Sequence, residues 1–348
     1  MKRPFVLALA LACSGCQLLF SLDDVAVRDA SGGETDATDA DSANCYGTGD
    51  LVVCPAQPLP ETAPIPPTVN TDDDVCLELV TENPDICVLG ARTVAIDSVR
   101  ATGKLPLVII GDTVTIEQIN VSSGPGVVGA GARKPCPFGG DAQTGAGGAG
   151  GSHGEIGGYG GTGTGVGGIP LPNSPSRMLR GGCPGQQGSG GAFGGSGGGA
   201  LAVLANTILI TGPINASGAG GTGGANAAGG GGGGAGGMIY LDAPTLNLDV
   251  NGRVFANGGG GGQGGQGDGT PGASGHESTG PTNPGAGGAN AGGGEAGGDG
   301  GYKAVPAMTG SPVSAGVGAG GGGGAVGVTR VVPNPLADPD KVSPQPTP

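Results

Sequence analysis

Four stretches of the chain repeat one pattern of about 18 residues, centred on Thr93, Thr113, Thr207 and Thr245, and this recurrence limits the fold more than any other feature. Six residues before the threonine stand Cys87, Leu107, Leu201 and Ile239; four before, Leu89, Ile109, Val203 and Leu241; two before, the small Ala91, Gly111, Ala205 and Ala243. Such alternation is that of a strand. After the threonine the apolar positions move to Val94 and Ile96, Val114 and Ile116, Ile208 and Ile210, Leu246 and Leu248. The change of parity requires a bend near the threonine. Each copy then closes on a third short stretch ending in a turn glycine, as in Val99-Arg100-Ala101-Thr102-Gly103 or Ile214-Asn215-Ala216-Ser217-Gly218.

Three strands per copy with bends between them predict an all-β chain, a short right-handed parallel β-helix or solenoid spanning 87–332 in which like residues stack. A β-sandwich with long loops is the competing arrangement, but its strands would need neither a stacked threonine nor a shared exit point. The threonines are separated by 20, 94 and 38 residues, and the excess is glycine-rich sequence inserted after the same turn glycine. The inserts, about 125–198, 219–236 and 259–323, should therefore leave from one corner. A last strand, Ala325 to Val332, is expected to end the array, with Val326, Val328 and Val331 over one end.

With 85 Gly and 29 Pro in 348 residues, 3% aromatics and no Trp, an ordinary packed globule is excluded. Within the first insert glycine falls at every third residue from Gly145 to Gly163 and again from Gly182 to Gly197. A three-residue period is that of an extended left-handed helix. Proline is nearly absent from these runs, which argues against collagen. Two outcomes stay open: polyglycine II-like segments bonded backbone to backbone, with ordered packing preferred, or disordered bristles.

The ends set the address. Lys2, Arg3 and the apolar stretch from Phe5 to Ala12 read as a secretory signal, too short to span a bilayer. Ser14 and Gly15 precede Cys16, the expected lipidation site after removal of residues 1–15; Cys13 is the alternative. Residues 16–44, rich in Asp with Arg28 as the single base, read as a disordered tether rather than a calcium loop. Residues 45–86 read as a small disulfide-bonded module, and 333–348 as a stiff proline-rich tail that cannot join a sheet. Six further cysteines suggest the sequential pairs Cys45–Cys54, Cys76–Cys87 and Cys136–Cys183 among 15 possible connectivities, in an oxidising compartment. A net charge of −14 argues against nucleic acid as a partner.

Little in the sequence points to catalysis. None of the six cysteines beyond the signal shows a C-x-x-C spacing and His153 and His276 are the only imidazoles, so neither a metal nor a cofactor is expected. Matches to G-x-G-x-x-G lack a strand-to-helix context, and Gly103-Lys104 is followed by Leu105, so no phosphate loop is present. No G-x-S-x-G elbow with a strand-then-helix context exists, and both histidines lie within low-complexity runs. The best carboxylate row is Asp97, Glu117 and Asp249, each following the second strand of its copy, and a solvated turn explains it better than a glycosidase pair. Outward positions are read as mostly Thr, Asn, Ala and Gly. Asn120 and Asn215 match the glycosylation pattern at one repeat position, but a bacterial signal argues against modification. Tyr46, Tyr159, Tyr240 and Tyr302 are scattered and read as local packing.

The opening Cys45-Tyr46-Gly47-Thr48-Gly49 with Val53-Cys54, the Thr71 to Cys76 segment, the Asp85-Ile86-Cys87-Val88 entry and the phrase that closes each copy before its glycine run carry a resemblance. Over nearly the whole mature chain the sequence resembles a group of glycine-rich lipoproteins of myxobacteria and their relatives, which have no assigned activity. The resemblance implies a lipid-anchored protein of the outer membrane or cell surface and transfers no catalytic residue. The expected role is structural or adhesive, with the membrane, cell-surface polysaccharide or neighbouring surface proteins as partners. The alternatives are a carbohydrate-binding or -cleaving β-helix using Asp97, Glu117 and Asp249, or a flat threonine face that binds ice or a crystalline polymer.

Overall fold

The computed structural model describes residues 45–48, 50–73, 75–77, 79, 85–132, 136–172, 178–289, 294–313, 316–332 and 338–347, all within one compact unit. The signal segment with Cys13 and Cys16, and the tether to residue 44, lie outside the described residues.

The described chain is all-β, with one 3-10 turn at Pro339–Lys341. Its strands are β1 (Thr68–Asn70), β2 (Cys87–Gly90), β3 (Thr93–Ile96), β4 (Val99–Thr102), β5 (Leu107–Ile116), β6 (Ile119–Asn120), β7 (Phe138–Gly140) and β8 (Ile169–Pro170), followed by β9 (Ala200–Ile210), β10 (Pro213–Asn215), β11 (Met238–Asp242), β12 (Thr245–Leu248), β13 (Arg253–Phe255), β14 (Val328–Val332) and β15 (Val342–Ser343). One parallel sheet runs β14-β11-β9-β5-β2, with β3 against β5 and β12 against β9. A second runs β1-β4-β6-β10-β13-β15, also parallel throughout. Inside the first insert β7 and β8 form a separate antiparallel pair.

Register sets like on like. Thr93 pairs with Thr113, Thr113 with Thr207, and Thr207 with Thr245. Leu89, Ile109, Val203, Leu241 and Val331 form one column, and Val99, Ile119, Ile214, Val254 and Val342 another. Both columns lie in one buried cluster, where each full-sized aliphatic contributes roughly 1.5–3 kcal/mol by leaving water. The bend takes two forms. In the second and third copies the strand runs through it as β5 and β9, with Asp112 and Asn206 dropping out of the pairing. In the first and fourth copies it breaks into β2 and β3, or β11 and β12.

Both expected boundaries move. Residues assigned to a separate module reach into the sheets, since Thr62 bridges Thr93 and β1 lies on β4. The proline tail, expected to stay outside any sheet, supplies β15, whose Val342 and Ser343 pair with Val254 and Phe255. Neither residue is a proline, so both keep their amides, while Pro344 directly follows the strand and has no amide to extend it.

Outward positions also differ from expectation. Val88, Val108, Ile110, Leu204, Met238 and Tyr240 face away from the first cluster and form a second one with Val53, covered by the half-buried Tyr46, Leu51, Leu59 and Leu77. The cysteines are joined as Cys45–Cys54, Cys76–Cys87 and Cys136–Cys183, and the first two bonds hold this covering segment.

Candidate functional site

The three long inserts leave after β6, β10 and β13 and return at β9, β11 and β14, so all depart from the six-stranded sheet and re-enter the other. Between these points their backbone amides follow one rule. From Gly230 to Gly237 the N–H groups donate in turn to the carbonyls of Ala319, Thr222, Gln186, Gly322, Ala219, Cys183, Ala325 and Ala216. The acceptors recur at every third donor: 319, 322 and 325 on one neighbour, 222, 219 and 216 on a second, 186 and 183 on a third. Carbonyls of the same segment accept from Gly148 and Gly151, from Gly259 and Gly262, and from Gly195 and Gly198. Six neighbours thus surround one segment.

Residues 258–266 and 318–325 are bonded in the same rotation. These three central segments are ringed by 145–151, 157–163, 308–313, 294–301, 285–288, 272–276, 218–224, 192–198 and 182–188, each bonded to the next around the ring. At the glycines of the central segments the spacing leaves no room for a side chain: a Cβ on Gly232 would overlap the carbonyl oxygen of Ala149. Every amide of the three central segments donates to another backbone carbonyl, so their order does not depend on an apolar core.

Where the array meets the sheets, side chains seal the seam. His153 is buried, and its Nδ1 lies 2.9 Å from the Gly236 carbonyl, which fixes Nδ1 as the protonated nitrogen. Burial lowers its pKa to about 4. Buried Asn257 donates through Nδ2 to Ser278 Oγ at 2.9 Å and to the Gly280 carbonyl at 3.0 Å, while its Oδ1 accepts from Ser343.

The N-terminal cover is pinned by Asp242, which is 1% exposed and accepts from the Thr48 amide at 2.7 Å and the Thr48 hydroxyl at 2.9 Å. Burial and then the Asp242 carboxylate push the Tyr240 hydroxyl up to about 12. Tyr46 donates to Asp112 at 3.3 Å, and Arg92 bonds the other oxygen of Asp112 at 3.0 Å. Burial first, then Asp112, raises the Tyr46 pKa.

Asp97, Glu117 and Asp249 are all exposed. Asp97 and Glu117 follow the paired Ile96 and Ile116, but Thr211 stands between Glu117 and Asp249, because β9 lies between β5 and β12. The row is a ladder with a gap, not a cleft. Asn120 and Asn215 pair across neighbouring strands, and their side-chain oxygens accept from the Ser122 and Ser217 amides, a local turn. The threonine ladder is extended by Thr62 and lies outward.

His153, weighed in the sequence only for metal or catalytic chemistry, is a buried structural residue, and neither Asp242 nor the outward rows of the array stand out from the pattern. A signal existed for the last of these, since Ile156, Tyr159 and Thr162 sit three apart in the glycine period. Comparison with known protein families, with characterised proteins and with solved structures finds no match to this chain.

Proposed function

We propose that this chain is a membrane-anchored extracytoplasmic lipoprotein with a structural or adhesive surface role and no catalysis. In this reading its paired sheets are the coils of a short right-handed parallel β-helix, and its inserts are a polyglycine II-like bundle carried on one corner. Cys16, or Cys13 in its place, is the lipid-bearing residue, residues 16–44 are the tether, and the outer membrane or cell surface is the location. The observation that carries it is the closed backbone bonding of the glycine segments, which makes a rigid body from residues with no catalytic groups. Three disulfides agree with an oxidising compartment. Cell-surface polysaccharide or neighbouring surface proteins are the partners such a body would meet.

The test is fractionation of cells expressing the full chain and a Cys16→Ala variant. The wild type should be in the membrane fraction and labelled by fatty acid; a variant equally attached and labelled would overturn the anchor. A carbohydrate-cleaving β-helix is the second reading, favoured by Asp97 and Glu117 each directly following the paired Ile96 and Ile116 of neighbouring strands. Release of oligosaccharide from purified cell-surface polysaccharide, abolished by Glu117→Gln, would establish it in place of the structural reading.

A further inference from the structure

Two neighbouring segments on the rim of the glycine array carry side chains that the bonding scheme does not use. In one, Ile156, Tyr159 and Thr162 stand three residues apart and are exposed; in the other, Val305, Met308 and Ser311 do the same, with Ser311 half-buried. The segments run parallel, because the Gly310 amide donates to the Tyr159 carbonyl and the Val313 amide to the Thr162 carbonyl. With a three-residue period, every third side chain points the same way, at intervals of about 9 Å. Two parallel rows therefore form one face, apolar at one end and hydroxylated at the other. Ile156 is 46%, Tyr159 52%, Val305 37% and Met308 52% exposed. Together they present roughly 350–400 Å² of apolar surface, within the range of the largest patch on a typical monomer, which is often functional.

We propose that this face docks against the same face of a second copy of the chain, across a two-fold axis parallel to the two segments. That operation lays the first row of one copy on the second row of the other. Ile156 meets Val305, Tyr159 meets Met308, and Thr162 meets Ser311, apolar on apolar and hydroxyl on hydroxyl, and the tyrosine ring gains a thioether contact. Charge favours this spot. The chain carries a net charge of −14, so two copies repel, yet no charged residue occurs from Ile156 to Thr162 or from Val305 to Ser311. The area is about half of what each partner of a stable soluble dimer buries. The contact is accordingly weak in solution and is populated when tethers confine copies to one surface. In that respect alone it rests on the anchored reading.

The test is disulfide trapping in cells that co-express two full-length chains, one Thr162→Cys and one Ser311→Cys, under mild oxidation. A cross-linked heterodimer is expected, with Thr113→Cys plus Thr245→Cys chains as the control pair on the exposed threonine ladder. Adding Tyr159→Ser and Met308→Ser to both chains should lower the trapped yield about tenfold without changing the monomer's circular dichroism. A yield no higher than that of the control pair, or one unchanged by the double substitution, would overturn the proposal. Membrane fractionation of the same cells reads the anchor separately: a chain that is anchored yet untrapped refutes the docking face alone, whereas trapping of released chains at high concentration would keep the face and refute the anchor.

Discussion

The carbonyl oxygen of Ala149 occupies the space that a Cβ on Gly232 would need. The Gln186 carbonyl accepts the Gly232 amide at 2.9 Å, so this residue is held from two sides by two different segments. Gly232→Ala must push backbone against backbone, which cannot be relieved by a rotamer change. It should destabilise the chain by at least about 3 kcal/mol in urea unfolding. Gly124→Ala, whose new methyl would come no closer than 3.6 Å to the Glu277 carboxylate, should stay within about 0.5 kcal/mol of wild type. Equal effects at the two positions would count against close packing of the array.

His153 makes the seam sensitive to acid. Its folded pKa of about 4 lies below the ordinary 6.5, so the unfolded chain binds the extra proton first. The stabilisation from keeping this ring neutral is complete above pH 6.5 and is lost as pH falls towards 4, reaching about 2–3 kcal/mol at pH 4.5. A His153→Asn variant, which keeps a donor for Gly236 but does not titrate, should lose less stability than wild type between pH 7.5 and 4.5. Parallel losses in the two proteins would show that the imidazole is not the titrating group.

Thr329 stands in the column of Leu107, Leu201 and Ile239, and its buried hydroxyl has no hydrogen-bond partner among the described residues. Valine has the same shape without the hydroxyl. Thr329→Val should raise stability by about 1 kcal/mol, seen as a higher urea midpoint at unchanged slope. A lower midpoint would mean that the hydroxyl is satisfied in solution.

Asp242 anchors the N-terminal cover through Thr48. Asp242→Asn replaces one acceptor by a donor beside the Thr48 amide or hydroxyl, at a cost of about 1–3 kcal/mol. Residues 45–59 should then exchange amide hydrogen faster while β9 stays protected. Faster exchange confined to β9 would contradict this division of roles.

Much of the sheet arrangement was legible because apolar spacing reports parity. The aligned threonines foretell the observed register, and the change of phase around them foretells the bend at Asp112 and Asn206. What the repeat could not show was the use of short pieces outside it. Thr62 lies in the segment read as a separate disulfide-bonded module and Val342 in the tail read as unable to join a sheet, yet one paired residue or two suffice at the end of a stack. Val88, Ile110, Leu204 and Tyr240 stand on the opposite parity from the inward column and are apolar as well. A strand apolar on both faces signals burial on both. The glycine period is that of extended segments but left packed helices and bristles both open, and their neighbours could not be read, since a lattice of backbone bonds leaves little side-chain code for which segment lies beside which. The candidate face built on Tyr159 and Met308 was hidden for the same reason: their segments are far apart in sequence and meet only through that lattice.

Hydrogen exchange at the glycine amides tests the central claim most directly. In the full-length protein at neutral pH, the amides of Gly230 to Gly236 should be protected to the same extent as those of Ile109 and Val203 in the buried strands, because each donates to a carbonyl inside the array. Exchange of these amides at the rate of an unstructured peptide, with the strand amides still protected, would show that the inserts are bristles and not a packed body.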